Sequence, residues 1–446
     1  MSPSKFDFNP KFFNYPSFHI YLVGAILKIS HILNIIELKN DRNFYLKNPG
    51  EFAKIFYIGR LISIFMAALT AILLYNISHN FFNEKVALVS TLALIFTPLW
   101  VRNIHFMQVN VPITFWITLT IYFLSIYIKI NSKKYLILSS LAAGLATSTK
   151  YTGGVFIFIP ILLFFMNKEK SKSLLSKILI IPFIVFFLTN PYIFFSLDDF
   201  FNDLLFESNK LSNPSFLYLL NNIAISNGSS SLVLIMIGII YSVTKISKKP
   251  FQILLLWFMA TSLIPFISGH ENWGLIRYLI PTLPVLAIFM AISINKIFTF
   301  LNKFISVYSF YFITTFCLIP SILYSYDIIK ILTKKDIRLK SSNWIEENIL
   351  ANDIGIIRTI YFDFPTINSD KFKIIPIWNL DINKWPNTLV FSSSNESKRF
   401  IKLVPKNYKL IKQFNQRPKN IWTYPFENFF EDWQYTFLDI YIYQKE

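Results

Sequence analysis

Residues 111–134 read VPITFWITLTIYFLSIYIKINSKK, an apolar run of twenty residues with one charge, Lys129, followed at once by Lys133 and Lys134. A helix of that length crosses the hydrocarbon core of a bilayer, about 30 Å thick. It is also one of the few structures that satisfy their own backbone polar groups there. The lysines at its far end carry the second half of the signal, because short cytoplasmic loops collect Lys and Arg.

Working outward, nine more runs of this kind follow one another between Ile55 and Tyr326. Together they predict spans at about 55–77, 86–101, 111–130, 135–149, 152–166, 178–196, 230–244, 251–268, 279–294 and 304–326. The gaps alternate in kind. One set holds Lys85, Lys129, Lys133, Lys134, Lys168, Lys170, Lys172, Lys177, Lys245, Lys248, Lys249, Lys296 and Lys303. The other set holds only Arg102, Lys150, Lys210 and Arg277, the third of these in a long Asn/Ser-rich loop. Thirteen cations against four put the first set in the cytoplasm. Function is then to be sought at the lysine-poor outer face, where the other polar residues collect.

Composition excludes several alternatives. A mean hydropathy of +0.46 and 48 Phe in 446 residues mark an integral membrane protein. The formal charge of +18 sits largely in those short loops, so it does not imply nucleic acid as a partner. The single cysteine, Cys317, lies inside an apolar run, which leaves no intrachain disulfide and no thiolate zinc site. The five histidines show no HExxH spacing, so no metal centre is expected. Neither a GxGxxG loop nor a P-loop occurs, and no cofactor is expected.

Two segments flank the spans. Residues 1–54 read as an outer-face loop in which Phe18 to Ile36 forms an interfacial helix, with His19 and His31 on its polar face. No basic n-region or cleavage site precedes that helix, so it is not read as a signal peptide. After Tyr326 the composition turns polar. Residues 327–446 predict a small extracytoplasmic α/β domain, with a helix over Ile337 to Ile349 that Ser341 or Ser342 would cap if it starts late. Strands are expected at Ile354 to Phe362, Phe372 to Trp378, Thr388 to Ser392, Tyr408 to Phe414 and Leu438 to Tyr443. The sequons at Asn227 and Asn395 face outside in this topology. The fold class is thus mainly α, a multi-span helical domain over 55–326 with the α/β domain appended.

Four stretches in order carry a family resemblance: Asn9-Pro10-Lys11-Phe12-Phe13-Asn14-Tyr15-Pro16-Ser17; Thr97-Pro98-Leu99-Trp100-Val101-Arg102 running on through His105 to Asn110-Val111-Pro112; Gly144-Leu145-Ala146 before Thr149-Lys150-Tyr151; and Arg277-Tyr278-Leu279-Ile280-Pro281. Near the end, Asp432-Trp433-Gln434-Tyr435 matches as well. Together they resemble polytopic GT-C glycosyltransferases of the family-39 type, which include protein O-mannosyltransferases and aminoarabinose transferases. The resemblance implies a multi-pass plasma-membrane enzyme. It would move a sugar, with inversion, from a polyprenyl-phosphate donor to a glycan, lipid or protein acceptor at the outer face, with membrane lipids as further partners. It also implies two departures. The chain as given lacks the family's first span and first-loop acidic motif, and Asn110 stands where a second carboxylate is expected; an amide cannot act as a base.

On that resemblance Arg277, with Tyr278, would hold the lipid phosphate, because a guanidinium fork matches phosphate oxygens. An interfacial Arg-Tyr anchor explains the same pair. Lys150 reads as a second phosphate partner or as a snorkelling lysine. Asn110 and His105 are the candidates nearest the chemistry, although Asn-Val-Pro also suits a helix start. Arg102 and Arg60 complete the substrate-binding set, the latter open to a structural reading as an ion pair. Two other functions fit the composition: a catalytically dead or truncated paralogue that binds a lipid-linked sugar, and a polytopic transporter. The transporter lacks the internal repeat that such proteins usually show.

Overall fold

The computed structural model describes residues 8–208, 215–267, 276–301, 309–350, 352–357, 364–368, 370–393, 395–417 and 437–446. The Gly269–Gly274 loop, Lys210, Lys303 and the Asp432-Trp433-Gln434-Tyr435 stretch lie outside them. The chain divides into two units, Met1–Ile322 and Leu323–Glu446.

The first unit opens with α1 (Phe18–Ile32), α2 (Arg42–Lys47), α3 (Pro49–Phe81), α4 (Glu84–Ile95), α5 (Pro98–Ile104), α6 (Asn110–Ile130) and α7 (Lys133–Thr149). After a 3-10 turn, Tyr151–Ile157, come α8 (Phe158–Met166), α9 (Lys172–Thr189), α10 (Leu197–Ser208) and α11 (Phe216–Asn227). Helices α12 (Ser229–Thr244) and α13 (Lys249–Ile267) lead to a second 3-10 turn, Ile276–Thr282. Helix α14 (Leu283–Leu301) and then α15 (Ser309–Leu332) follow, the latter running on into the second unit.

Among the described residues six helices are long and apolar enough to cross a membrane, or seven if α4 and α5, bent by 61° at Thr97-Pro98, count as one span. Within the described residues the ten predicted runs are mainly helical, but several are shorter than a span requires. Helix α7 differs in kind from its neighbours. Ser139, Ala142, Ala143, Gly144, Ala146 and Ser148 are buried between α6 and α9, and small residues are what lets helix backbones approach closely. At Gly144 an added Cβ would lie 2.9 Å from Pro182 Cα and 2.9 Å from Val185 Cβ of α9.

Polar residues inside the helices satisfy themselves locally. The hydroxyls of Thr114, Thr118 and Ser148 donate to the carbonyls four residues back at 2.7, 2.7 and 2.8 Å. The lysine-rich loops come together at one end of the bundle. Lys133 pairs with Glu169 at 3.1 Å, Lys249 donates to Asn167 Oδ1 at 2.5 Å, and Lys129 donates to Asn80 at 3.2 Å. Lys85 lies 4.4 Å from the centre of the Phe298 ring.

Three expectations need correction. The long Asn/Ser-rich loop contains two helices, α10 and α11. The Asn227 sequon is buried, with its side-chain nitrogen donating to Ile223 O at 3.0 Å, so it presents no glycan-accessible amide. His19 is likewise buried rather than spread on a polar face.

The second unit holds α16 (Ile337–Asn348), strands β1 (Asp353–Ile356), β2 (Lys373–Pro376) and β3 (Thr388–Ser392), helix α17 (Asn395–Ile401), then β4 (Tyr408–Phe414) and β5 (Ile440–Lys445). Helix α16 is capped by Asp336, which accepts from Arg338 N at 2.8 Å, not by Ser341 or Ser342. One sheet runs in the order β2-β1-β3-β5-β4, with β1 parallel to β2 and β3, and β5 antiparallel to β3 and β4. Ile345, Ile354, Leu389, Phe391 and Ile442 form its apolar core with Trp385.

Candidate functional site

Lys150 closes α7, its N–H donating to Ala146 O at 3.1 Å as the helix ends. The turn drives its side chain inward, where only 8% of the residue remains exposed. Its Nζ donates to Asn110 Oδ1 at 3.1 Å, and Asn110 in turn donates to Gln108 Oε1 at 3.2 Å. Tyr278 and Tyr15 flank the ammonium, with ring centres 4.7 and 5.8 Å away. Three of the four sequence motifs thus meet a fourth at one lysine. Lys150 and Tyr278 also line a cavity of about 20 Å³, the size of a water and far below that of a sugar.

Burial pushes the Lys150 ammonium down to about 7; the neighbouring Arg277 cation adds to this, and Glu207 opposes it. Arg277 is half-buried, and two neighbouring cations are favoured when an anion joins them. Of the cationic candidates, Arg277 is the one that acts on Lys150. Arg102 is buried on α5 with its guanidinium 5.3 Å from the Phe106 ring centre. Arg60 is exposed on α3, 5.7 Å from the Tyr57 ring centre, and makes no described contact with the cluster. His105 lies at the end of α5 with Nδ1 2.6 Å from Val101 O. A carbonyl can only accept, so that bond puts the proton on Nδ1 and leaves Nε2 as the basic nitrogen.

Carboxylates absent from the sequence-derived candidates come from α10. Asp199, Asp203 and Glu207 recur every fourth residue and share one helix face. The Asn9–Ser17 stretch is tied down beside that face. Phe13 N donates to Asp203 Oδ2 at 2.6 Å, Asn14 Nδ2 to Glu207 Oε1 at 2.9 Å, and Asn9 Nδ2 to Ser196 Oγ at 2.8 Å. Ser17 N donates to Asn190 Oδ1 at 2.5 Å, and Tyr151 OH to Phe13 O at 2.8 Å. The Asp/Glu spacing, with Leu197, Phe200, Phe201, Leu204 and Leu205 at helical spacing beside it, was the available signal, and it was hidden by reading the segment as a loop.

Two buried amides have unpartnered atoms, although Asn103 Nδ2 donates to Leu99 O at 2.8 Å. Asn103 Oδ1 on α5 and both polar atoms of the Asn222 side chain on α11 make no hydrogen bond. Helices α5 and α11 pack on one another and on the 276–282 turn. An unsatisfied buried group costs about 1–3 kcal/mol.

Known proteins share the sequence pattern of one stretch and the fold. The family model described as "Dolichyl-phosphate-mannose-protein mannosyltransferase" matches residues 53–195, a span that includes Arg60, Arg102, His105, Asn110 and Lys150. No curated protein sequence matches the chain. Crystal structures of ArnT from Cupriavidus metallidurans, apo and bound to undecaprenyl phosphate, each superpose with a TM-score of 0.50 over 97% of this chain and 88% of theirs, at 11% and 12% identity. The oligosaccharyltransferase of Archaeoglobus fulgidus is similar over 77% of this chain at 13% identity and a TM-score of 0.46. The chain spans about half of that enzyme's length (51%). The chain therefore has the fold of the polytopic GT-C membrane glycosyltransferases and, over residues 53–195, matches the dolichyl-phosphate-mannose-protein mannosyltransferase family.

Proposed function

We propose that the protein transfers a sugar from a polyprenyl-phosphate donor to an acceptor at the extracytoplasmic face of the plasma membrane, with inversion at the anomeric carbon. The observation that carries this reading is the buried Lys150, coupled to Arg277 and enclosed by Asn110, Tyr15 and Tyr278. A guanidinium and an ammonium side by side suit a phosphate, whose oxygens take a guanidinium fork and an ammonium together. The ArnT structure bound to undecaprenyl phosphate supports the class of donor.

In the transfer, the acceptor hydroxyl attacks the anomeric carbon as the bond to the lipid phosphate breaks. The hydroxyl proton goes to a carboxylate, and negative charge grows on the departing phosphate beside Lys150 and Arg277. Glu207 is the carboxylate we assign to the proton, held by Asn14 and coupled to Lys150. Asn110 then orients Lys150 and leaves proton transfer to Glu207. The open amide groups of Asn103 and Asn222 suit sugar hydroxyls, each of which can donate and accept. Because the cavity at Lys150 is only water-sized, the donor must displace Tyr278 or the Asn9–Ser17 strap to enter.

Two variants separate binding from chemistry. Arg277→Ala is expected to weaken polyprenyl-phosphate binding by about 1.5–3 kcal/mol, the scale of a charge-assisted bond, with Arg277→Lys recovering only part. Glu207→Gln is expected to keep donor affinity and lower kcat by about 10²–10⁴-fold. Unchanged lipid-phosphate affinity in folded Arg277→Ala would sink the donor site, and wild-type turnover by Glu207→Gln would remove Glu207 as the base.

A further inference from the structure

A second polar cleft lies wholly within the unit Leu323–Glu446 and has a volume of about 480 Å³. That is within the usual range of small-molecule sites, roughly 300–1,000 Å³. Strands β4 and β5 form one wall, where Gln413 and Tyr441 are cross-strand partners. The residues just past β4 are fixed to the end of α15, because Gln416 Nε2 donates to Ile331 O at 3.1 Å. At the base, Asp439 is 2% exposed, its Oδ2 2.5 Å from Arg417 and 3.3 Å from the Tyr441 hydroxyl, while its Oδ1 has no hydrogen-bond partner. Exposed Lys334 and Lys340 complete the lining.

The lining restricts the occupant. Ile331 is its single aliphatic residue, so the cleft offers nothing to an acyl chain or an apolar peptide side chain. Side-chain amides, a tyrosine and a buried carboxylate provide paired donors and acceptors, which is what vicinal hydroxyls require. Among the described residues of the lining, three cations face one carboxylate, and that carboxylate is matched by Arg417, so Lys334 and Lys340 are left to meet a negative group.

We propose that this cleft binds an acidic saccharide, with the hydroxyls on the amides and the anionic group between Lys334 and Lys340. The claim concerns binding and stands whether or not the sugar-transfer reading holds.

The test uses the full chain in detergent, titrated with glucuronate, with glucose and with inorganic phosphate. Glucuronate is expected to bind, inorganic phosphate to compete with it, and glucose to bind at least fivefold more weakly. The double variant Lys334→Gln/Lys340→Gln, both exposed positions, should lose at least fivefold in glucuronate affinity at an unchanged melting temperature. Arg277→Ala should leave it untouched. Equal binding of glucose and glucuronate, or no loss in the double variant, would overturn the proposal. So would displacement of glucuronate by phosphatidylglycerol micelles but not by phosphate, which would assign the cleft to a lipid headgroup.

Discussion

At Lys150 a single side chain carries both the energetic cost and the use of the site. Its ammonium loses half its population near pH 7, because burial and Arg277 outweigh Glu207. A sugar phosphodiester stays singly negative across this range and favours the charged lysine, so donor binding must take up a proton above that pH. The sign follows directly: affinity for a polyprenyl-phosphate sugar should fall as pH rises from 7 to 9, by up to tenfold per unit. Lys150→Gln should bind more weakly at pH 6 and show a flatter profile. Donor affinity measured at four pH values checks this, and a wild-type profile as flat as that of the variant would remove the buried lysine from phosphate recognition. Lys150 was open to a bland reading in the sequence, since a snorkelling lysine and a phosphate ligand look alike there. What separates them is a bond to Asn110 across forty positions. No local pattern encodes that distance.

Among the elements, the helices that span and the five strands were legible, because long apolar runs and short β-branched runs each carry their own period. Strands β3 and β4 have the predicted bounds, while β1 is shorter and β5 lies two residues later than expected. Helices α10 and α11 were missed. In α10 the signal was present, because Leu197, Phe200, Phe201, Leu204 and Leu205 recur at helical spacing, but the run is short and lay inside a gap read as a loop. Its role depends on Asn14 and Glu207, 193 positions apart. Close packing of α7 on α9 makes a separate prediction. Gly144→Val should destabilise the protein by about 1–3 kcal/mol through overpacking against Pro182 and Val185. Gly24→Val on α1, with no atom within 4 Å of its Cβ position, should change stability by less than about 1 kcal/mol. Thermal unfolding in detergent compares the two, and an equally mild effect at Gly144 would mean that α7 and α9 separate at little cost.

For the molecule as a whole, the contacts among Lys129, Lys133, Lys249 and their partners draw the lysine-rich loops to one end, and we propose that this end faces the cytoplasm. In a Cys317→Ser background, Lys133→Cys and Lys248→Cys should resist an impermeant thiol reagent in intact cells. Lys402→Cys, in the second unit, should react. Labelling of Lys133→Cys with protection of Lys402→Cys would turn the protein over and move the proposed donor site to the cytoplasm.

The Asn9–Ser17 strap has a consequence in time. Beyond the bond from Tyr151 it anchors on Asn190, Ser196, Asp203 and Glu207, so most of its hydrogen bonds wait until those residues have been made. At about 5–20 residues per second, translation needs roughly 10–40 s to cover that separation. Through that interval the strap lacks most of its anchors, and Arg277 and Tyr278 are made later still. The phosphate-binding corner therefore joins a segment that reached the ribosome exit early to residues made much later, and the strap waits at the membrane surface in between.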